Sequence, residues 1–340
     1  MLSLFVFLLF SISAPAEPGS HLLQTNSSAQ TPKLSATDRT RLVEAFRLGD
    51  KLGDRIWPRW SKAPFAVLLV TPEYEFLIRH PLPSPDFTNL GYDRELASNV
   101  FYRKRTMSPG LLATFPAISG SMVSTIVVGQ AENTLAKTST PWVITLLHEH
   151  FHQMQDSQPS FYADVNALNL ARGDQSGMWM LNYPFPYDRT EVQEQFAAMS
   201  ELLAAAVRAP KRERALRVRD YLAARRSFQK LVDPQDYKYL AFQFWKEGIA
   251  RYTEYHLARL AAVNYRPTKE FRALPDYRSF ADVAHTTYDG IFRQLRTQKL
   301  GESKREVVYS FGAAEGLLLD QTKPDWRRRY FVEKFDLGKL

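Results

Sequence analysis

The sequence predicts an α+β fold, with a small β-sheet in the N-terminal part that packs on a mostly helical C-terminal part. Short runs of β-forming residues lie before residue 130, and long amphipathic segments follow from Thr140 onward. Strands that come first and helices that come later are typical of α+β proteins, whereas alternating strands and helices would indicate βαβ units. The 340 residues, 45% hydrophobic and 24% charged, are enough for a globular protein with a sizeable core.

The first 16 residues are interpreted as a signal peptide. Residues 1–16, MLSLFVFLLFSISAPA, are apolar, too short to span a bilayer comfortably, and end in the small-x-small pattern Ala14-Pro15-Ala16. A charged n-region is missing, so an uncleaved N-terminal anchor is the alternative. Both interpretations predict a periplasmic or secreted protein, and no stable membrane span is expected after cleavage. The polar residues 17–35, rich in proline, glycine and serine, are predicted to form a flexible leader.

The charge pattern and the lack of cysteine limit which partners and which metal ligands are expected. The net charge is +8, and much of the excess lies in short basic runs at 211–219 and 326–329. Such runs are typical of solvated helix faces. Because no aromatic-interleaved basic motif or phosphate-binding glycine loop accompanies them, no nucleic-acid partner is predicted. The chain has no cysteine, so a metal ion would have to be bound by nitrogen and oxygen ligands.

Residues 36–135 are predicted to form a mixed α/β part. A helix should begin near Thr37 and run through DRTRLVEAFRLGDKL. Four β-type runs follow, namely FAVLLVT (65–71), YEFLIRH (74–80), LLATFPAI (111–118) and MVSTIVVG (122–129). The proline-rich segment 81–85 separates the two strand pairs.

Residues 136–340 are predicted to form the helical part, with inserted helices at about 156–234. Amphipathic periodicity predicts helices at 141–155, 189–208, 211–231, 235–262 and 304–321. The first of these has favourable starting residues, since Thr140 can cap the helix and Pro141 suits its first position.

The stretch HEHFH, residues 148–152, places three histidines on this first helix. At about 100° per residue, its apolar stripe contains Val143, Leu146, Leu147, His150, Phe151 and Met154. His148 and His152 lie on the opposite side, one turn apart, so their rings can converge on one ion. Glu149 lies beside them. His150 is therefore expected to be a buried, hydrogen-bonded structural residue.

The two outer histidines and the glutamate form an H-E-x-x-H arrangement, which predicts a zinc site. Zinc bound by neutral ligands lowers the pKa of its water towards about 7, and a nearby carboxylate can accept the proton. His148 and His152 are therefore candidate ligands, and Glu149 is the candidate general base. A chance match of the five-residue pattern is the alternative.

A catalytic zinc site has three protein ligands and one open position. Further along the chain, Glu247 lies in a predicted helix, within WKEGIARYTEY (245–255). This string resembles the W-x-N-E-G-x-A-x-Y-x-E-Y block of gluzincin-type zinc aminopeptidases. The resemblance implies that Glu247 is the third metal ligand. Lys246 stands where the family usually has asparagine.

A second block supports the resemblance. The segment VVYSFGAAEGLLLD (307–320) is similar to the Y-x-x-G-A-x-x-x-L-L block of the same enzymes. It implies that Tyr309 donates a hydrogen bond to the tetrahedral oxyanion, and it implies a zincin-like fold. The family's glutamate follows its histidines much more closely, whereas 94 residues, 153–246, intervene here. The family also has a substrate-amine motif, G-x-M-E-N, and GQAEN (129–133) is interpreted as a coincidence because it lies too close to His148.

Several residues keep two interpretations. Glu254 would either orient a ligand histidine or pair with Arg251 or Lys246. His256 and His285 are isolated and are expected to be ordinary surface or core residues. The aromatic segment 178–187, MWMLNYPFPY, would either line a substrate cleft or pack over the metal-binding helix.

The leading hypothesis is a secreted or periplasmic zinc metallopeptidase that acts on a peptide or protein substrate. Glu149 would serve as general base and then as proton donor to the leaving amine. The strand at 122–129 would be the edge strand with which an extended peptide pairs. The alternatives are a non-catalytic zinc-binding scaffold protein and a zinc hydrolase of a non-peptide amide or ester.

Overall fold

The computed structural model describes residues 31–340, which form an α+β fold. The predicted signal peptide and residues 17–30 of the predicted leader lie outside this range. Six strands occupy the first part of the described chain, and the residues that follow are mostly helical. The predicted α+β class is therefore confirmed. None of the helices within residues 31–340 is long and apolar enough to cross a membrane.

The strands form one mixed sheet in the order β3-β4-β2-β1-β6-β5. β1 and β6 are parallel, and the other neighbouring pairs are antiparallel. The strands are β1 (Val67–Val70), β2 (Tyr74–Ile78), β3 (Thr88–Asp93), β4 (Ser98–Lys104), β5 (Leu112–Phe115) and β6 (Thr125–Gly129).

The predicted edge strand at 122–129 is wrong. β6 lies between β1 and β5, so β5 forms the edge of the sheet on this side. Every residue of β6 is buried, because the strand has neighbours on both sides and α2 (Ser139–Asp156), the helix of the histidines, packs against it. A short run of β-branched residues without polar alternation is typical of such an interior strand.

The described residues contain thirteen α-helices: α1 (Ala36–Ile56), α2 (Ser139–Asp156), α3 (Phe161–Ala167), α4 (Trp179–Asn182), α5 (Thr190–Arg208), α6 (Lys211–Leu231), α7 (Pro234–Gln243), α8 (Ile249–Asn264), α9 (Lys269–Arg272), α10 (Phe280–Thr297), α11 (Leu300–Ser303), α12 (Val307–Thr322) and α13 (Trp326–Arg329). The predicted long helices are present. The segment predicted as one helix at 235–262 is two helices, α7 and α8, and α10 was not predicted.

The start of α2 differs slightly from the prediction. The capping position is Thr138 and the helix begins at Ser139, so Pro141 lies inside the first turn instead of at its first position. The N–H of Ser139 donates to Asp276 at 2.8 Å, and its hydroxyl donates to the same carboxylate at 2.7 Å. A carboxylate from a distant loop therefore satisfies the helix end that Thr140 was expected to cap.

A π-helical turn, Phe244–Gly248, joins α7 to α8 and contains Glu247. α12 crosses this turn at backbone distance. A Cβ atom at Gly248 would lie 2.4 Å from the Cα of Gly312, and a Cβ at Gly312 would lie 2.5 Å from the carbonyl oxygen of Phe244. Only glycine at both positions permits this approach. The crossing brings the start of α12, with Tyr309, next to Glu247.

Candidate metal centre

The two outer histidines of α2 converge with Glu247. The Nε2 atoms of His148 and His152 are 3.1 Å apart. The Oε2 atom of Glu247 lies 3.2 Å from Nε2 of His152 and 3.8 Å from Nε2 of His148. One potential ligand atom from each residue falls within 4.8 Å of the others, so this group could hold a metal ion. Two imidazoles and one carboxylate are a ligand set that suits zinc.

Hydrogen bonds fix the orientation of both histidines. Nδ1 of His148 donates to Oε1 of Glu254 at 2.6 Å, since a carboxylate can only accept. Nδ1 of His152 faces Oε1 of Gln155 at 2.6 Å, and the amide nitrogen of Gln155 donates to the hydroxyl of Tyr330. With Nδ1 bonded in this way, Nε2 of each ring is directed towards the common point. Bonds of this kind around a metal site raise ligand basicity and hold the rings in place.

Glu254 satisfies both of its predicted interpretations. Its Oε1 accepts from His148, and its Oε2 accepts from Nη1 of Arg251 at 2.5 Å. It lies on the same helix as Arg251, three residues further on, so helix geometry supplies the pair.

The carboxylates and histidines of the group shift one another's pKa values. Burial alone would raise the pKa of Glu247, but the neighbouring His152, His148 and Arg305 outweigh it and hold that pKa well below its usual range. Burial also acts to lower the pKa of His148, yet hydrogen bonds to the carboxylates of Glu247 and Glu254 raise it to about 10. The two carboxylates thus hold a proton on His148.

Glu149 lies beside the histidines and is held by the edge strand. Its Oε2 accepts from the hydroxyl of Thr114 at 2.7 Å, and the same hydroxyl is 3.2 Å from the backbone carbonyl oxygen of Glu149. Thr114 belongs to β5. Both residues line one cleft together with His152 and Glu247. The carboxylate is therefore fixed at the cleft wall, next to the group that could hold a metal.

Tyr309 also lies close to the group. Its ring centroid is 6.2 Å from that of His148. Burial and the charge of Glu247 raise the pKa of Tyr309, so the phenol keeps its proton and can donate a hydrogen bond.

Arg305 joins Tyr309 to Glu247 and was not identified from the sequence. Its Nη1 donates to the Tyr309 hydroxyl at 3.2 Å, and its Nη2 donates to Oε1 of Glu247 at 3.1 Å. Oε1 is the carboxylate oxygen turned away from the histidines, so Arg305 leaves Oε2 to face them. The available sequence signal is spacing, because Arg305 precedes Tyr309 by one helical turn. Thr114 gave no such signal.

His150 is a core residue, as predicted from the helical wheel. Its ring stacks on Phe65 with centroids 3.8 Å apart, and Trp60 lies 5.4 Å away. Nδ1 of His150 bonds to Oε1 of Gln153 at 2.9 Å. Burial lowers the pKa of His150 to about 3, so the ring is neutral over the ordinary pH range.

The remaining candidates lie outside the group. His256 is buried 3.1 Å from Asp320, and His285 is exposed beside Asp289, as expected for ordinary core and surface histidines. In the GQAEN segment, Glu132 forms a salt bridge with the buried Arg41 at 2.7 Å. This pairing gives Glu132 a structural role and supports the interpretation of GQAEN as a coincidence.

A cleft of about 560 Å³ opens beside the group formed by His148, His152 and Glu247. Its lining includes β5 residues, Glu149, His152, Glu247 and Tyr309 on one part, and residues from α3 and α4 on another. Met178, Trp179, Met180 and Leu181, from the aromatic segment 178–187, are among them. These four residues thus line the cleft, which was one of the two interpretations of that segment.

Comparisons with models of protein families, with characterised proteins and with solved structures found no match to this chain. The case for any activity therefore depends on the residues of the cleft and on the chemistry that they can perform.

Proposed function

We propose that this protein is a zinc-dependent peptidase with a zincin-like catalytic part, active in the periplasm or after secretion. His148, His152 and Glu247 would hold the zinc ion. The observation that carries the proposal is that Glu149 and Tyr309 line one cleft together with His152 and Glu247, two members of this group. A structural metal site needs neither a carboxylate base nor a phenol donor beside it.

The residues divide the work of amide hydrolysis between them. A zinc ion at this position would polarise the substrate carbonyl and lower the pKa of water. Glu149 would accept a proton from the attacking water and then deliver it to the leaving amine. The Tyr309 hydroxyl, which remains protonated, would donate to the oxygen on which negative charge develops. Arg305, by donating to the Tyr309 oxygen, would leave the phenolic proton free for that bond.

The edge strand provides a way to bind an extended peptide. Among residues 31–340, β5 pairs with β6 along one side only, and all of its residues, 112–115, line the cleft. A peptide that added to this edge would be held by main-chain hydrogen bonds, which do not read side chains. Thr114 of the same strand holds Glu149, so the peptide would lie beside the proposed general base.

The test combines metal content with peptide cleavage. Protein purified without chelators should contain about one zinc ion per chain, measured by mass spectrometry, and should cleave members of a mixed peptide library. Glu149→Gln should keep the zinc and the melting temperature but lose at least about a hundredfold in turnover. Glu201→Gln, an exposed carboxylate on α5, is the matched control and should be unchanged.

Three results would contradict the proposal in different ways. Full zinc content without cleavage of any peptide would favour a non-catalytic zinc protein. Cleavage of esters or non-peptide amides alone would favour another class of hydrolase. Activity of Glu149→Gln within a fewfold of wild type would remove Glu149 from the mechanism.

A further inference from the structure

We propose that the cleft selects substrates with a large, uncharged apolar side chain next to the scissile bond. The pocket for this side chain is formed by α3, by the segment 178–181 and by Met122. The inference rests on the peptidase function proposed above and adds the substrate class to it.

The walls of this pocket are apolar and partly open to solvent. Phe161, Tyr162 and Val165 line it from α3, and the residues of segment 178–181 line it as well. Met122 and Tyr162 have 63% and 41% of their surface exposed, which is high for side chains of this size and type. Their neighbourhood is fixed, because the Tyr162 hydroxyl lies 3.1 Å from the hydroxyl of Ser124, two residues after Met122. Exposed apolar surface inside a cleft indicates a place for an apolar ligand group.

The charged groups along these walls are already paired within the protein. Asp156 accepts from the Ser124 hydroxyl at 2.7 Å and lies 3.4 Å from the ammonium group of Lys246. The side chains of Asp156 and Lys246 are only 8% and 12% exposed. A charged substrate side chain would lose its water here without gaining a free partner, and such a loss is costly.

Asp174 is occupied in the same way by its own loop. It accepts hydrogen bonds from the N–H and hydroxyl of Ser176, and its other oxygen accepts from the N–H of Trp179 at 2.6 Å. These bonds also fix the start of α4, which carries Trp179 and Met180 into the cleft wall. The pocket therefore has fixed apolar walls and no uncommitted carboxylate from this loop.

The size of the effect follows from the burial of one apolar side chain. Transfer of a phenyl or isobutyl group from water into such a pocket should strengthen binding about tenfold to a hundredfold relative to a methyl group. The cavity of about 560 Å³ can accommodate a group of this size beside the metal-binding residues.

Binding of small hydroxamates to the zinc-loaded protein tests the pocket without any need for turnover. Three probes that share the zinc-binding group are compared by calorimetry: acetohydroxamate, 3-phenylpropanehydroxamate and the hydroxamate of succinic acid. The phenyl probe should bind about tenfold to a hundredfold more tightly than the methyl probe. The carboxylate probe should gain nothing over the methyl probe. The proposed pocket would be contradicted if the three probes bound equally, if the carboxylate probe bound best, or if none of them bound.

Two variants test whether the proposed pocket residues cause the preference for the phenyl probe. Tyr162→Ala and Met122→Lys change exposed side chains and should leave the zinc content and melting temperature intact. Each should reduce the advantage of the phenyl probe at least about threefold while leaving acetohydroxamate affinity unchanged. Tyr92→Ala is the matched control, because Tyr92 is 64% exposed but lies on β3 at the far edge of the sheet. A phenyl preference that survives both cleft substitutions would place the selecting pocket elsewhere.

Peptide cleavage then separates this inference from the function on which it rests. A library that varies the two residues flanking the cleaved bond should show a preference for phenylalanine, leucine or methionine at one of them. Tight binding of the phenyl probe without cleavage of any peptide would contradict the peptidase function and leave the pocket intact. Cleavage without an apolar preference, together with equal probe affinities, would contradict the pocket alone.

Discussion

Acidification should destabilise this protein through one buried histidine that binds no metal. In the unfolded chain His150 takes up a proton below about pH 6.5, whereas burial in the folded protein lowers its pKa to about 3. Between these values the unfolded state binds more protons, so the free energy of unfolding falls as the pH falls. Each pH unit below 6.5 costs about 1.4 kcal/mol, and the loss through His150 at about pH 4.5 is therefore about 3 kcal/mol.

Denaturant unfolding of wild type and His150→Phe isolates this contribution. Phenylalanine preserves the stack on Phe65 and Trp60 but cannot be protonated. Both proteins are stripped of metal and unfolded at about pH 7 and about pH 4.5. Loss of the bond to Gln153 shifts the variant by a constant amount, and the other titrating groups are common to both.

The quantity compared is the loss of unfolding free energy between the two pH values. Wild type should lose about 3 kcal/mol more than the variant. Equal losses in the two proteins would mean that His150 is protonated in the folded state or reaches solvent. Either result would refute its assignment to the core.

Three further predictions concern the proposed metal-binding group. Glu254→Gln should weaken zinc binding about tenfold to a hundredfold, because it leaves His148 less firmly oriented. A chelator competition measures the affinity, and an unchanged value would show that Glu254 only forms the ion pair with Arg251. Tyr309→Phe should lower kcat about a hundredfold to a thousandfold, with little change in KM or melting temperature; an unchanged kcat would leave the tyrosine a packing role. Zinc binding at neutral pH should release about one proton, because His148, whose pKa is raised to about 10, must give up its Nε2 proton. Calorimetry in buffers of different ionisation enthalpy measures that proton, and heats that do not depend on the buffer would contradict its release.

The parts of the fold that were predicted correctly are those with a strong periodic pattern. α1, α2, α5 and α6 have apolar stripes at helical spacing, and β1 and β2 are runs of apolar residues that end at turn-forming residues. β3 and β4 were both missed. TNLGYD in β3 contains asparagine, glycine and aspartate and is mostly exposed, and SNVFYRK in β4 has only one buried residue. The position of β3 in the sheet depends on pairing with β4, a contact that local propensity does not encode.

The position of a strand within the sheet could not be predicted from the local sequence pattern either. β5 and β6 are adjacent in sequence and both rich in apolar residues, yet only β5 is the edge. The order is decided by the parallel pairing of β6 with β1, between residues that are about sixty positions apart. The alternation of polar and apolar residues indicates which face of a strand is buried, but it does not indicate which strands lie next to it.

In the candidate site, the sequence predicted the relative positions of residues that lie on one helix, but not those of residues from different elements. His148, His150 and His152 were separated correctly because helical geometry fixes their directions. The joining of Glu247 to them requires the packing of α8 and the π turn against α2, across 94 intervening residues. A resemblance to known motifs supplied that residue. It supplied neither Thr114 nor Arg305, whose roles arise only from the folded arrangement.

The glycine contact between α12 and the π turn also determines how the site can move. Glu247 precedes Gly248 directly, and Tyr309 lies one turn before Gly312 on the crossing helix. Two backbones in contact have no side chains between them that could change rotamer and absorb a displacement. A shift of α12 must therefore carry the π turn with it. The spacing between the proposed metal ligand and the proposed oxyanion donor is therefore set by backbone contact, and it should stay constant when substrates of different bulk bind.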